Sequence, residues 1–146
     1  MANWCSNEIT ITGNNEIIEK LLNEISSEER PGLDFNMIIC CPENFPEYES
    51  IKDAFDIIGF DRVLWCVENW GTKGNACEVN IRTGDNNVVI SFETAWSPSL
   101  PITEKLAQKY PMLSFSHHFK EEGVGFRGFS QWKNGKLVHK MIGKSG

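Results

Sequence analysis

Three phrases set a tryptophan among amides, hydroxyls and charges: Asn3-Trp4-Cys5-Ser6-Asn7, Glu68-Asn69-Trp70-Gly71-Thr72-Lys73 and Glu93-Thr94-Ala95-Trp96-Ser97-Pro98. A binding pocket needs that mixture, with flat apolar walls and a few directional polar groups. Packing alone rarely does, because a buried amide or hydroxyl is costly without a hydrogen-bond partner. Trp4, Asn7, Asn69, Trp70, Thr72, Lys73, Thr94 and Trp96 are therefore candidate ligand contacts. A second reading makes the tryptophans clasps that hold chain ends on a sheet, with Asn7, Asn69 and Thr94 satisfying loop backbone. The sequence alone leaves both open.

Catalysis has a weaker signature. A serine or cysteine nucleophile needs a base within reach and an oxyanion hole. The chain offers three histidines, His117, His118 and His139. His117 shares the parity of Phe115 and Phe119, which places it in the core, whereas His118 points the other way and is a candidate site residue. No His-x-x-x-His, His-x-Glu or paired carboxylate at helical spacing suggests metal hydrolysis. The run Gly123-Val124-Gly125-Phe126-Arg127-Gly128 contains Gly-x-Gly-x-x-Gly, yet it precedes an aromatic strand and not a helix, so it is no dinucleotide fingerprint. It reads better as a loop presenting amides beside Arg127 to an anion, a role that Glu121 and Glu122 oppose.

Composition narrows the classes further. A chain of 146 residues suits one domain with its own core. No apolar stretch approaches the ~20 residues of a membrane span, and the N-terminus lacks the basic start and apolar run of a signal peptide. Five cysteines without a Cys-x-x-Cys pair fit free thiols in a reducing cytosol better than a disulfide framework or zinc site. Residues 1–69 carry 14 acidic and 4 basic side chains, and residues 70–146 carry 6 and 10. An acidic chain is a poor non-specific nucleic-acid binder. A basic surface in its second half can still hold a small anion, with Arg82, Lys73, Lys120 and Arg127 as the candidates.

These side chains need elements to carry them. Cys5, Asn7, Ile9 and Ile11 alternate with Ser6, Glu8, Thr10 and Thr12, the pattern of a half-buried strand. Asn14 or Asn15 caps a helix with Ile17, Ile18, Leu21, Leu22 and Ile25 on its apolar side. Phe35 to Cys41 suggests a short strand or extended loop. Ile51, Ala54, Phe55 and Ile58 suggest a second helix, wet on Glu47, Glu49, Asp53 and Asp56; a further short helix ends at Gly71. Residues 42–77 form an elaboration. Strands around Val79 and Ile90 flank a Gly84-to-Asn87 turn. Ile102, Leu106 and Tyr110 mark a helix, Leu113 to Phe119 a strand, and Asn134-Gly135 the turn of a C-terminal hairpin.

This order predicts an α+β fold: a ferredoxin-like split βαβ sandwich, an antiparallel sheet with helices on one face, a helical insertion and a C-terminal hairpin. The other face would present Thr10, Asn80, Arg82, Ser91, Glu93, Ser116 and His118. Such a polar face serves either binding or plain solvation.

The three tryptophan phrases, Tyr110-Pro111, Glu121-Glu122-Gly123 and Phe126-Arg127-Gly128 resemble the YubB ferredoxin-like domain family across the whole chain. The resemblance implies a ferredoxin-like fold and an origin in phages, prophages or plasmids, and no activity. The loop Gly74-Asn75-Ala76 departs from the family's bulkier aromatic–acidic pair. Three functions follow as expectations. The first is a cofactor-free, cytoplasmic binder of a small ligand, a nucleotide-derived defence signal being one such ligand. The second is an inhibitor that docks on a host defence protein through the acidic residues Glu47, Glu49, Asp53 and Asp56. The third, and weakest, is a hydrolase using His118 with Glu93.

Overall fold

The computed structural model describes residues 3–42, 62–123 and 125–144. The helix expected at Ile51–Ile58, with its acidic side, lies outside the described residues. Strand β1 (Trp4–Thr12) leads to helix α1 (Asn15–Glu24), a 3₁₀ turn (Phe35–Met37) and helix α2 (residues 62–70). Strands β2 (Cys77–Gly84) and β3 (Asn87–Ala95), helix α3 (Leu100–Lys109) and strands β4 (Ser114–Glu121), β5 (Phe126–Lys133) and β6 (Lys136–Lys144) complete the fold.

The six strands form one antiparallel sheet in the order β2-β3-β1-β4-β5-β6. In the first four, β3 lies between β1 and β2, and β1 lies between β3 and β4. That arrangement is the split βαβ pattern, and β5–β6 extends it as a hairpin beyond β4. The α+β, ferredoxin-like expectation therefore holds.

Alternation decides the faces. Ile9, Ile11, Val88, Ile90, Phe92, Phe115 and the helix residues Ile18, Leu21, Ile102 and Leu106 make one buried cluster. Helix α1 is capped by Asn14, whose side chain accepts from the amides of Glu16 and Ile17. The helices are tied by Tyr110, whose hydroxyl donates to Glu24 at 2.6 Å, while Lys109 pairs with the same carboxylate at 2.9 Å. The β5–β6 turn has Asn134 and Gly135 both at positive φ (54° and 77°), as the Asn-Gly pair demands.

One segment departs from expectation. Residues 35–37 form a 3₁₀ turn, where an extended conformation was expected. Asp34 causes this by accepting from the Asn36 amide at 3.0 Å, closing an Asx-type cap. Burial opposes the Asp34 charge, yet hydrogen bonds from Asn75, Ser27 and Asn36 hold its carboxyl below the usual aspartate value.

Candidate ligand-binding site on the open sheet face

The three tryptophan phrases do converge, through backbone and buried polar groups. The Trp96 amide donates to Asn3 O at 2.8 Å, the Thr72 hydroxyl to Ala95 O at 2.7 Å and the Ser97 hydroxyl to Gly71 O at 2.6 Å. Gly71 has φ +79°, and a Cβ there would sit 2.6 Å from Pro101 Cδ, so only glycine fits the seam. Asn69 bonds back to Trp65 O. Trp70 lies in the core, edge-on to Phe35 and Trp65, and its indole N–H donates to Ile39 O at 2.8 Å. Trp96 is instead a surface residue, 51% exposed, with the Lys73 ammonium 3.5 Å from its ring centroid. The expected pocket walled by Trp70 and Trp96 is thus a clasp with one buried tryptophan and one on its surface.

Beneath the clasp runs a directional relay. Asn7 Nδ2 lies 3.1 Å from Cys5 O and 2.8 Å from Thr94 Oγ1. A carbonyl only accepts, so the amide must turn its NH₂ there and its oxygen to His117 Nε2, 2.8 Å away. His117 is therefore protonated on Nε2, and its Nδ1 accepts from the Thr103 hydroxyl at 2.7 Å. Thr94 passes its own proton to Ser97 O at 2.6 Å. Asn7, Thr94, Thr103 and His117 are all buried. Burial first, and the neighbouring His118 second, push the His117 pKa down to about 3, so this imidazole is neutral.

The loop after β4 offers no anion cradle. The Gly123 amide donates to the buried Glu121 carboxylate at 2.6 Å, and the Gly125 amide to Glu121 O at 3.1 Å. Glu121 does more than oppose an anion there, since it holds those amides itself. Gly128 is a packing glycine, because a Cβ would collide with Met141 O and Phe119.

The chemistry that remains free lies on the opposite face. Register aligns three rows across the strands. Asn80, Ser91, Glu8, His118, Phe129 and Met141 form one row, with Glu93, Ser6, Lys120 and Arg127 in the next toward the β1 start. Arg82, Val89, Thr10, Ser116, Gln131 and His139 form the third. The first two rows, Asn80 excepted, line a groove of about 1160 Å³ reaching from Glu78 on β2 to Lys144 on β6.

An aromatic ladder starts in it with His118 and Phe129 and runs on to His139, one row outside. His118 and Phe129 stack at 5.2 Å with 22° between planes, and Phe129 and His139 at 5.2 Å with 27°. That spacing is close to the ~4.8 Å between strands, so the rings stand upright, one per strand. Among the described residues, Arg127 has no ion-pair partner, and Lys120 pairs only with exposed Glu122 at 3.6 Å.

Of the expected site residues, His118 and Arg127 line this groove, and Arg82 stands one row away on the same face. Trp4 also has open-face parity, at the end of β1. Asn7 borders the groove, but its side-chain amide is engaged inside the relay. Phe129, His139 and Lys144 were missed. Their signal was there: carried across the hairpin register, His118, Phe129 and His139 fall on one parity. No group of His, Cys, Asp and Glu among the described residues could hold a metal ion.

Residues 77–146 match the family model for the ferredoxin-like domain in Api92-like protein. None of the curated proteins matches the sequence. The crystal structure of protein Api92 from Yersinia pseudotuberculosis is similar over 100% of this chain and 99% of that one, with 10% identity and a TM-score of 0.67. At that identity the likeness speaks for the fold, and the fold of this chain is accordingly ferredoxin-like.

Proposed function

We propose that the protein is a non-enzymatic binder of a small anionic ligand with a planar group, held in the open-face groove. The observation that carries this reading is the ring ladder beside Lys120 and Arg127. A π-stack supplies a sequence-tolerant platform for a heteroaromatic ring, and a guanidinium with no ion pair among the described residues supplies an anion contact. Nucleotide-derived molecules combine both features. In the phage or plasmid setting that the resemblance to the YubB family implies, such a binder would titrate a nucleotide defence signal in the cytoplasm. Catalysis finds less support, because both His117 nitrogens are engaged and His118 is separated from Glu93 by strand β1.

A thermal-shift screen with cyclic dinucleotides, cyclic trinucleotides and nucleoside monophosphates tests the reading. A ligand at 100 times its Kd should add ~2.7 kcal/mol to stability. A flat response to the whole panel would sink it.

One observation favours the alternative of a protein-binding inhibitor. Strand β6 is a nine-residue sheet edge, exposed throughout, with Leu137, Val138, Met141 and Ile142 all uncovered. Such an edge accepts a partner's strand. Co-purification of a host protein that is lost on Val138→Pro would support this second reading.

A further inference from the structure

We infer that the groove is built for a guanine nucleotide, its base donating to the carboxylates of Glu8 and Glu93 and its phosphate resting on Lys120 and Arg127. This rests on the reading of the open face as a ligand site.

The first argument is where the ladder stops. His139, Phe129 and His118 occupy β6, β5 and β4, with Phe129 in contact with a histidine ring on each side. The face of His118 away from Phe129 looks toward β1, where Glu8 stands directly opposite it in the register and Ser6 and Ser91 keep the floor low beside Glu8. A fourth ring, standing one strand spacing (~4.8 Å) further on, would continue the stack there. A base seated there has the Glu8 carboxylate beside it.

The second argument is charge. Lys120, Arg127 and Lys144 line the groove on the β4–β6 side, whereas Glu8, Glu78 and Glu93 line it on the β1–β3–β2 side. Glu93 and Lys120 flank Ser6 in one row, two strand spacings (~10 Å) apart, and do not pair with each other. Among the described residues none of the three glutamates is paired with a cation. A ligand that satisfies both sides presents hydrogen-bond donors at one end and negative charge at the other.

Base chemistry then selects among nucleotides. Guanine carries two adjacent donors on its Watson–Crick edge, the ring N1–H and the exocyclic amine, which match a carboxylate with charge-assisted bonds. Adenine and cytosine set a ring acceptor beside their amine, and that lone pair would face the carboxylate. Uracil has one N–H between two carbonyls. Only guanine offers the paired donors without an opposing lone pair.

Isothermal titration of the full chain with GMP, IMP, AMP, CMP and UMP tests this at pH 7 and low salt. GMP should bind at least tenfold more tightly than AMP, CMP or UMP, with IMP, which lacks the exocyclic amine, in between. In a Glu8→Gln/Glu93→Gln variant the preference for GMP over AMP should fall below threefold. Arg127→Ala should weaken GMP and AMP by the same factor. Glu8 is exposed, so Glu8→Gln alone, checked by its melting curve, serves if the double variant misfolds; it should at least halve the preference. If AMP equals or surpasses GMP, or the glutamine variants keep the full preference, guanine is the wrong base and the general binder reading survives. If none of the five nucleotides binds, the guanine assignment falls, and the general binder reading is decided by the cyclic di- and trinucleotides of the thermal-shift panel.

Discussion

His117 and His118 are neighbours in sequence and opposites in circumstance. One lies under the sheet with both ring nitrogens engaged, held neutral by burial and by a fixed tautomer. The other lies on the exposed face, stacked on Phe129 in a groove open to ligands. The same residue type serves structure on one face and is available for binding on the other, and strand parity alone separates the two. The tryptophans repeat the lesson within one clasp: Trp70 fills the core while Trp96, on the partner strand's corner, stays at the surface. Polar company does not mark a site by itself. A candidate site needs polar company on a face left open by the described residues.

The sharpest way to break this contrast is at Trp70. Its ring meets Phe35 and Trp65 and its indole N–H holds Ile39 O, so Trp70→Ala should cost ~3–5 kcal/mol. Urea denaturation measures this. A loss below ~1 kcal/mol would mean the clasp carries little of the fold, and the buried tryptophan would again be a candidate ligand wall.

Next comes the relay. Asn7→Ala removes the amide that meets Cys5 O, Thr94 and His117, leaving the His117 Nε2–H buried and unpaired; we expect ~2–4 kcal/mol of destabilisation. The relay also carries a pH signature. The folded pKa of His117 is depressed to about 3 from 6.5, so the unfolded chain takes the proton first as pH falls. Stability is whole above pH 6.5 and declines from there toward pH 3, by roughly 3 kcal/mol at pH 4.5 if His117 acts alone. Between pH 6.5 and 5 most carboxylates are still ionised, so a fall in that window reports the histidine. An NMR titration showing His117 as the charged imidazolium above pH 6 in the folded protein would overturn the relay as drawn.

Much of this architecture was legible in the sequence because alternation and turn chemistry are local. The parity of β1, β3 and β4, the Asn14 cap, the Gly71 stop and the Asn134-Gly135 turn all follow from residues a few positions apart. The site was half legible. His118 and Arg127 could be assigned to the open face from their own strands. Phe129 and His139 join them only through the β4–β5 and β5–β6 registers, and a bulge between Gln131 and Trp132 resets the second of these. The tryptophan phrases left two readings open because a clasp that fastens three segments needs the same aromatic and amide mixture as a pocket. Sequence displays the mixture; only tertiary contacts show that its polar atoms already have partners.

A smaller effect tests the other face. Phe129→Ala removes the middle of the ring ladder and should cost ~1–3 kcal/mol of nucleotide affinity, roughly ten- to hundredfold. Phe129 is only partly buried, so the melting curve should move far less than for Trp70→Ala. Calorimetry on the folded variant separates the two effects. Unchanged affinity would show that the ladder is surface packing and leave Arg127 as the groove's remaining argument.

The smallest predicted change concerns the corner where the two regions meet. Trp96 adopts φ +75°, a left-handed conformation that costs a bulky L-residue roughly 1–2 kcal/mol and glycine almost nothing. Against that strain stand its ring contact with the Lys73 ammonium, about 0.5–1 kcal/mol at an exposed site, and the greater chain entropy of an unfolded glycine. The terms nearly cancel. Trp96→Gly should therefore shift stability by less than ~1 kcal/mol in either direction, and Trp96→Ala, which keeps the strain and loses the ring, should be the less stable of the two. The hydrogen bond from the residue 96 amide to Asn3 O survives both changes. If Trp96→Gly instead destabilises as strongly as Asn7→Ala, the indole is holding the clasp shut. If it leaves the fold intact and still lowers nucleotide affinity, the exposed tryptophan belongs to the ligand, and the site extends from the groove around the end of β1 to this corner.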